Sequence, residues 1–247
     1  MSQVYGYSKG WVHKPLATQA SILASNPRLR GIDVSHAEEL AKVYTLNGRL
    51  VLPQGADGLA LFSKHSALAR YLEGFDDWPV YNRALKYSLD TMKFERSNFI
   101  DLTAGRIGPE HERLTSRTAS VLEELENLPG DLIVRAVQTG ILYRNESVRD
   151  VRNNFTEIEF GLDSVSVASF LITHPERLLK SEDLAIDCAG SERAPEADGQ
   201  FVSAPCFCFR VDELEFGGSA LEDANPDYGS ASAFLPAPAV EIQISAP

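Results

Sequence analysis

Lysine is missing from the last 67 residues of this chain. Residues 181–247 hold 13 Asp and Glu against two basic side chains, Arg193 and Arg210. The whole chain has 35 acidic and 23 basic residues, so residues 1–180 carry 22 acids and 21 bases and sit at −1, while the last part carries −11 of the formal −12. Such a surface repels phosphate backbones and suits cations, water or a basic partner, so no direct nucleic-acid contact is expected. The same charge admits an acidic binding or inhibitor protein that mimics nucleic acid. Cysteine is scarce. Cys188, Cys206 and Cys208 are an odd number, which gives no disulfide framework and suits a reducing compartment. Met1–Tyr5 lacks the charged head and apolar run of a secretory signal, and no apolar run is long enough to span a bilayer. The expected location is cytoplasmic, or within a particle assembled in the cytoplasm.

Catalytic signatures are also lacking. There is no phosphate loop ending in Gly-Lys-Ser or Gly-Lys-Thr, no Gly-x-Gly-x-x-Gly after a strand, no Gly-x-Ser-x-Gly elbow and no His-Glu-x-x-His helix. The five His residues, at 13, 36, 65, 111 and 174, are scattered. Cys206 and Cys208 share one face of a strand and could join Cys188 and His174 around a soft metal. Phe207, Phe209 and Val211 on the other face read instead as a strand buried on both sides, and no metal is expected.

What is present is an ordinary globular composition, 44% hydrophobic and 23% charged, in a chain long enough to bury a large core. The period of the apolar residues predicts an α+β fold. Helices fall mainly in residues 16–128, a small β-hairpin or meander at 42–62, and the C-terminal half is β-rich. Asn47-Gly48 between Val43–Leu46 and Arg49–Leu52 is a type I′ hairpin signal. Ser35–Glu38 reads as a capping box, Ser63 as a helix cap, Asp76–Pro79 and Gly108–Glu110 as helix starts, and Val165–Ile172 as β-rich. Three regions follow: an aromatic N-terminal arm at 1–15, a single α+β domain at 16–216 with a possible sub-boundary near 129–130, and an acidic, then Ala/Ser/Pro-rich extension at 217–247. Tyr5, Tyr7 and Trp11 in the arm either lie across their own domain or anchor it on a neighbouring subunit.

Tyr143-Arg144, Ser164-Val165-Ser166 and Glu213-Leu214-Glu215 occur in that order in the β-rich half. The pattern resembles the ADP-ribosyltransferases of the Arg-Ser-Glu type, with Val165 where that family has Thr. The resemblance implies an NAD-using enzyme. Arg144 would grip the dinucleotide phosphate, Ser164 would orient the site, and Glu213 and Glu215 would supply the acid that stabilises the oxocarbenium-like centre. The principal expectation is different: a non-enzymatic structural or assembly subunit without cofactor, in a homo- or hetero-oligomer with other protein subunits. A virion or phage particle is its expected setting, with Tyr5, Tyr7 and Trp11 as interface residues.

Overall fold

The computed structural model describes residues 5–8, 10–46 and 49–236. In chain order its elements are α1 (Leu16–Ser25), α2 (Ala37–Leu40), β1 (Thr45–Leu46), β2 (Arg49–Leu50), β3 (Gly58–Ser63), α3 (His65–Ala69), α4 (Val80–Glu95), β4 (Phe99–Asp101), β5 (Glu112–Leu114) and α5 (Ser116–Glu126). They continue with β6 (Leu132–Arg144), α6 (Val148–Asn154), β7 (Glu159–Gly161), α7 (Ser164–Thr173), β8 (Ala185–Asp187), β9 (Ser191–Arg193), β10 (Ser203–Arg210), β11 (Glu213–Ala220) and β12 (Tyr228–Phe234). The fold is α+β, and its C-terminal half is rich in strands.

A mixed sheet of ten strands runs β3-β6-β12-β8-β10-β11-β4; β7 pairs with β12, and β9 links β10 to β5. β12 runs parallel to β8, and β11 to β4; the other pairs are antiparallel. The sheet joins the two sides of residues 129–130, because β3 pairs with β6 over six residues. One large core includes Leu23, Leu85 and Met92 from the first part with Phe170, Phe207 and Phe216 from the second.

The extension expected from 217 begins inside this sheet. β11 runs on to Ala220, and all seven residues of β12 are buried. Ala, Ser and Gly there are small side chains of a strand packed on both faces, a pattern easily read as irregular chain. Residues 237–247 lie outside the described residues, among them Glu241–Ile244, where the alternation of apolar and polar residues predicts a strand.

Ser164–Thr173 is a helix, not the β-rich run that Val165, Val167 and Ile172 suggest. Asp163 caps it, accepting from the amides of Val165 (2.9 Å) and Ser166 (3.1 Å). All ten residues are buried, so the helix carries no polar face to show a 3.6-residue period.

Distant residues also replace the expected local caps. Glu126, at the end of α5, accepts from the His65 amide (2.7 Å) at the start of α3, while Ser63 ends β3. Ser35 bonds the ring of His36 rather than closing a capping box. The third helix starts not at Gly108 but at Ser116, where Thr115 accepts from the Thr118 amide. The free edge of β3 is covered by one side chain: Gln19 donates to Leu59 O (2.9 Å) and accepts from the Leu61 amide (2.9 Å), as a neighbouring strand would. The Asn-Gly hairpin forms with Thr45 opposite Leu50 and Leu46 opposite Arg49; its two turn residues lie outside the described ones.

Candidate functional site

Arg144 ends β6 opposite Gly229, exposed, and donates to Tyr5 O (2.7 Å). Glu213 and Glu215 are on β11, opposite Arg210 and Cys208, and Glu215 accepts a long contact from the Cys208 thiol (3.4 Å). β12, β8 and β10 lie between β6 and β11. Four strand spacings separate Arg144 from the two glutamates, about 19 Å across the sheet. Ser164 begins α7 with no exposed surface, and its hydroxyl donates to Glu112 (2.6 Å). Arg144, Ser164 and the two glutamates are therefore not brought together.

The arm lies across its own domain. Tyr7 OH donates to Asp57 (2.8 Å) and accepts from the Thr139 hydroxyl (3.0 Å) and amide (3.2 Å). The Arg177 guanidinium sits 4.4 Å from the Tyr7 ring centroid and is itself fully buried, donating to Leu184 O (2.9 Å) and Thr139 O (2.8 Å). Burial and the neighbouring Asp57 push the Tyr7 phenol up to about 12. Trp11 packs on the core beside Phe170 and His174. Burial pushes the His174 imidazole down to about 3, so the ring stays neutral and its Nε2 accepts from the Lys14 amide (3.1 Å). Tyr5 meets the domain through its backbone carbonyl, which accepts from Arg144. Asp183, one of the acids of the lysine-free part, is buried under the arm and accepts from Ser8 and from the Leu179 amide.

Two short strands build the other polar region. Glu112-Arg113 on β5 and Glu192-Arg193 on β9 are the same dipeptide run in opposite directions, so Glu112 faces Arg193 and Arg113 faces Glu192. Alternation along a strand sends one pair inward and the other outward. Inside, Glu112 has no exposed surface and accepts from Tyr81 OH (2.7 Å) and Ser164 Oγ (2.6 Å). Arg193 lies 3.7 Å from its second oxygen. Burial raises the Glu112 carboxyl to about 7, against the pull of those hydroxyls and of Arg193. Nearby, His65 Nε2 is 3.2 Å from Asp163 Oδ1. Burial pushes the His65 ring down, but Asp163 outweighs it and the net shift is upward; His65 and Ser166 in turn hold Asp163 low despite its burial. These groups hold one another in place.

Outside, Arg113 and Glu192 line a cleft of about 580 Å³ together with Arg117, Arg152 and Phe155. Gly161 lies on its floor, where the chain passes so close to Gly190 that a Cβ on either would overlap the other's backbone. None of the motifs sought in the sequence points to Arg113, Arg117 or Arg152. The paired Glu-Arg dipeptides were the available signal, but they stand 80 positions apart and only the fold aligns them.

A third surface is apolar. Val43, Leu46, Leu50 and Val51, on and beside the β1–β2 hairpin, are each 51–61% exposed. Leu46 and Leu50 project from opposite faces, since cross-strand partners share a face and their partners differ. Among the described residues β1 and β2 pair only with each other.

No family model, no curated protein and no solved structure matches this chain. Among the described residues no helix is long and apolar enough to cross a membrane.

Proposed function

We propose that this chain is a non-enzymatic assembly subunit that associates with a second copy of itself through the β1–β2 hairpin. The observation that supports this reading is the hairpin's exposure: four aliphatic side chains more than half exposed, on and beside a two-stranded ribbon outside the main sheet. A lone two-stranded ribbon is marginal in water, and a free strand edge is a template for another strand. Two hairpins meeting about a twofold axis pair edge to edge and set leucines of the same face side by side, an isologous contact that closes on itself. The net charge of −12 opposes self-association, so salt strengthens the dimer by screening that repulsion.

Light scattering over a range of protein concentrations tests this. The expected result is a dimer that tightens as salt is raised from low to moderate concentration, and a monomer for the Leu46→Lys/Leu50→Lys variant. A wild-type monomer at every concentration and salt overturns the proposal, as does a dimer that the double variant leaves intact.

A further inference from the structure

We propose that the arginine cleft beside β5 and β9 binds a phosphate monoester of a small organic molecule. The argument starts from charge. Of the residues lining the cleft, Arg113, Arg117 and Arg152 are cationic and Glu192 alone is anionic, which leaves a local excess of +2 in a chain of net −12. Glu192 cannot neutralise all three. It accepts from Arg113 Nε (2.8 Å) and lies 3.8 Å from Arg152 Nη1. Among the described residues Arg117 donates to the Thr156 carbonyl and pairs with no carboxylate. A phosphate monoester near neutral pH is close to a dianion with three acceptor oxygens, which matches the excess in both charge and hydrogen-bonding capacity.

The guanidiniums are held rather than free. Arg152, with 16% of its side chain exposed, is fixed by the carbonyls of Ala189 (2.8 Å) and Ser191. Burial lowers it to about 10, so its charged form lacks full solvation and gains from an anion placed beside it. The other two stack on rings: Arg113 lies 3.8 Å from the Phe201 centroid and Arg117 5.9 Å from that of Phe155. Planar forks held in this way suit phosphate better than lysines would. The first turn of α5, at Ser116, opens on the same space and adds the positive end of a helix dipole. The cleft far exceeds a bare phosphate and falls in the range of small-molecule sites, and the Phe155 ring offers an apolar wall for an organic body.

Calorimetry with phenyl phosphate and with inorganic phosphate on the intact chain tests the inference. Saturable binding of phenyl phosphate is expected, at least tenfold tighter than inorganic phosphate and weakening as salt rises. Arg117→Gln and Arg113→Gln are each expected to weaken it tenfold or more. Both side chains are exposed at the rim, so the free variants keep the wild-type melting temperature. No binding heat at millimolar phenyl phosphate overturns the proposal, as does an unchanged affinity in the Arg113→Gln/Arg117→Gln variant. Equal affinity for inorganic phosphate overturns the organic-body part. The hairpin reading is untouched by any of these results, because the substitutions leave the hairpin and the chain's mass in solution as they are.

Discussion

The N-terminal arm and the β1–β2 hairpin both carry large side chains off the body of the sheet, yet they end in opposite environments. In the arm, Tyr7 has Asp57 as acceptor, donors from Thr139 and Ile141, and a cation on its ring, all from its own chain. The hairpin's Leu46 and Leu50 remain 61% and 56% exposed. Aromatic residues in a Gly-containing segment look like an interface from sequence, and aliphatic residues in a hairpin look like core. In this fold Tyr7 and Trp11 are occupied within the chain, and the hairpin's leucines stay exposed.

The contrast breaks most forcefully at Arg177. Arg177→Met removes a buried cation and strands the carbonyls of Leu184 and Thr139 together with the Tyr7 ring. The expected loss is about 3–5 kcal/mol of folding stability in urea denaturation, with the arm becoming cleavable by protease. A loss below about 1 kcal/mol means that the arm is not integral to the domain.

Glu112 tests whether polar groups sealed inside the chain behave as the arm's do. Its folded carboxyl titrates near 7 rather than 4.5, so the folded chain holds a proton that the unfolded chain releases over that interval. Its stabilising contribution is complete below about pH 4.5 and is lost as pH rises through 7, amounting to about 3 kcal/mol. Asp187, raised to about 7 by burial, acts in the same direction. Thermal melts of the wild type are expected to fall between pH 5 and 8, and those of Glu112→Gln to fall less. Parallel curves contradict the assignment to Glu112.

A smaller effect separates the Asn-Gly hairpin from the one joining β10 to β11. The second turns at Val211 and Asp212, both at positive φ (48° and 64°), and Val211 is 86% exposed. A β-branched residue is strained there. Val211→Asn with Asp212→Gly is expected to stabilise the protein by about 1–2 kcal/mol in urea denaturation. No gain would mean that the turn relaxes to another geometry.

These two hairpins also show how much the sequence made legible. Asn47-Gly48 announced the peripheral hairpin because its turn chemistry is local. Nothing at Val211-Asp212 announced the central one, because pairing with β8 and β4 on either side holds it in the sheet. α4, with Tyr81, Leu85, Leu89 and Met92 at helical spacing, and α5, with Thr118, Leu122 and Leu125, are readable, since each buries one face and shows the other to solvent. α7 and β12, buried all round, lack the periodicity that would distinguish them, so the sequence of β12 reads as part of an extension. The candidate sites were less legible still. The inner and outer faces of β5 and β9 depend on a register between residues 80 positions apart. The order of Arg144, Ser164 and Glu215 along the chain carried no information about the three strands between β6 and β11.

On the hairpin side of the comparison, the leucine substitutions are expected to change folding stability by less than about 0.5 kcal/mol, because no core contact is lost. Their effect is reserved for association. Sedimentation velocity of the wild type beside Leu46→Lys/Leu50→Lys, at matched concentration and moderate salt, tests the central claim most directly. The account predicts wild type at twice the 27.1 kDa chain mass and the variant at the chain mass. Two identical species, monomeric or dimeric, would contradict it.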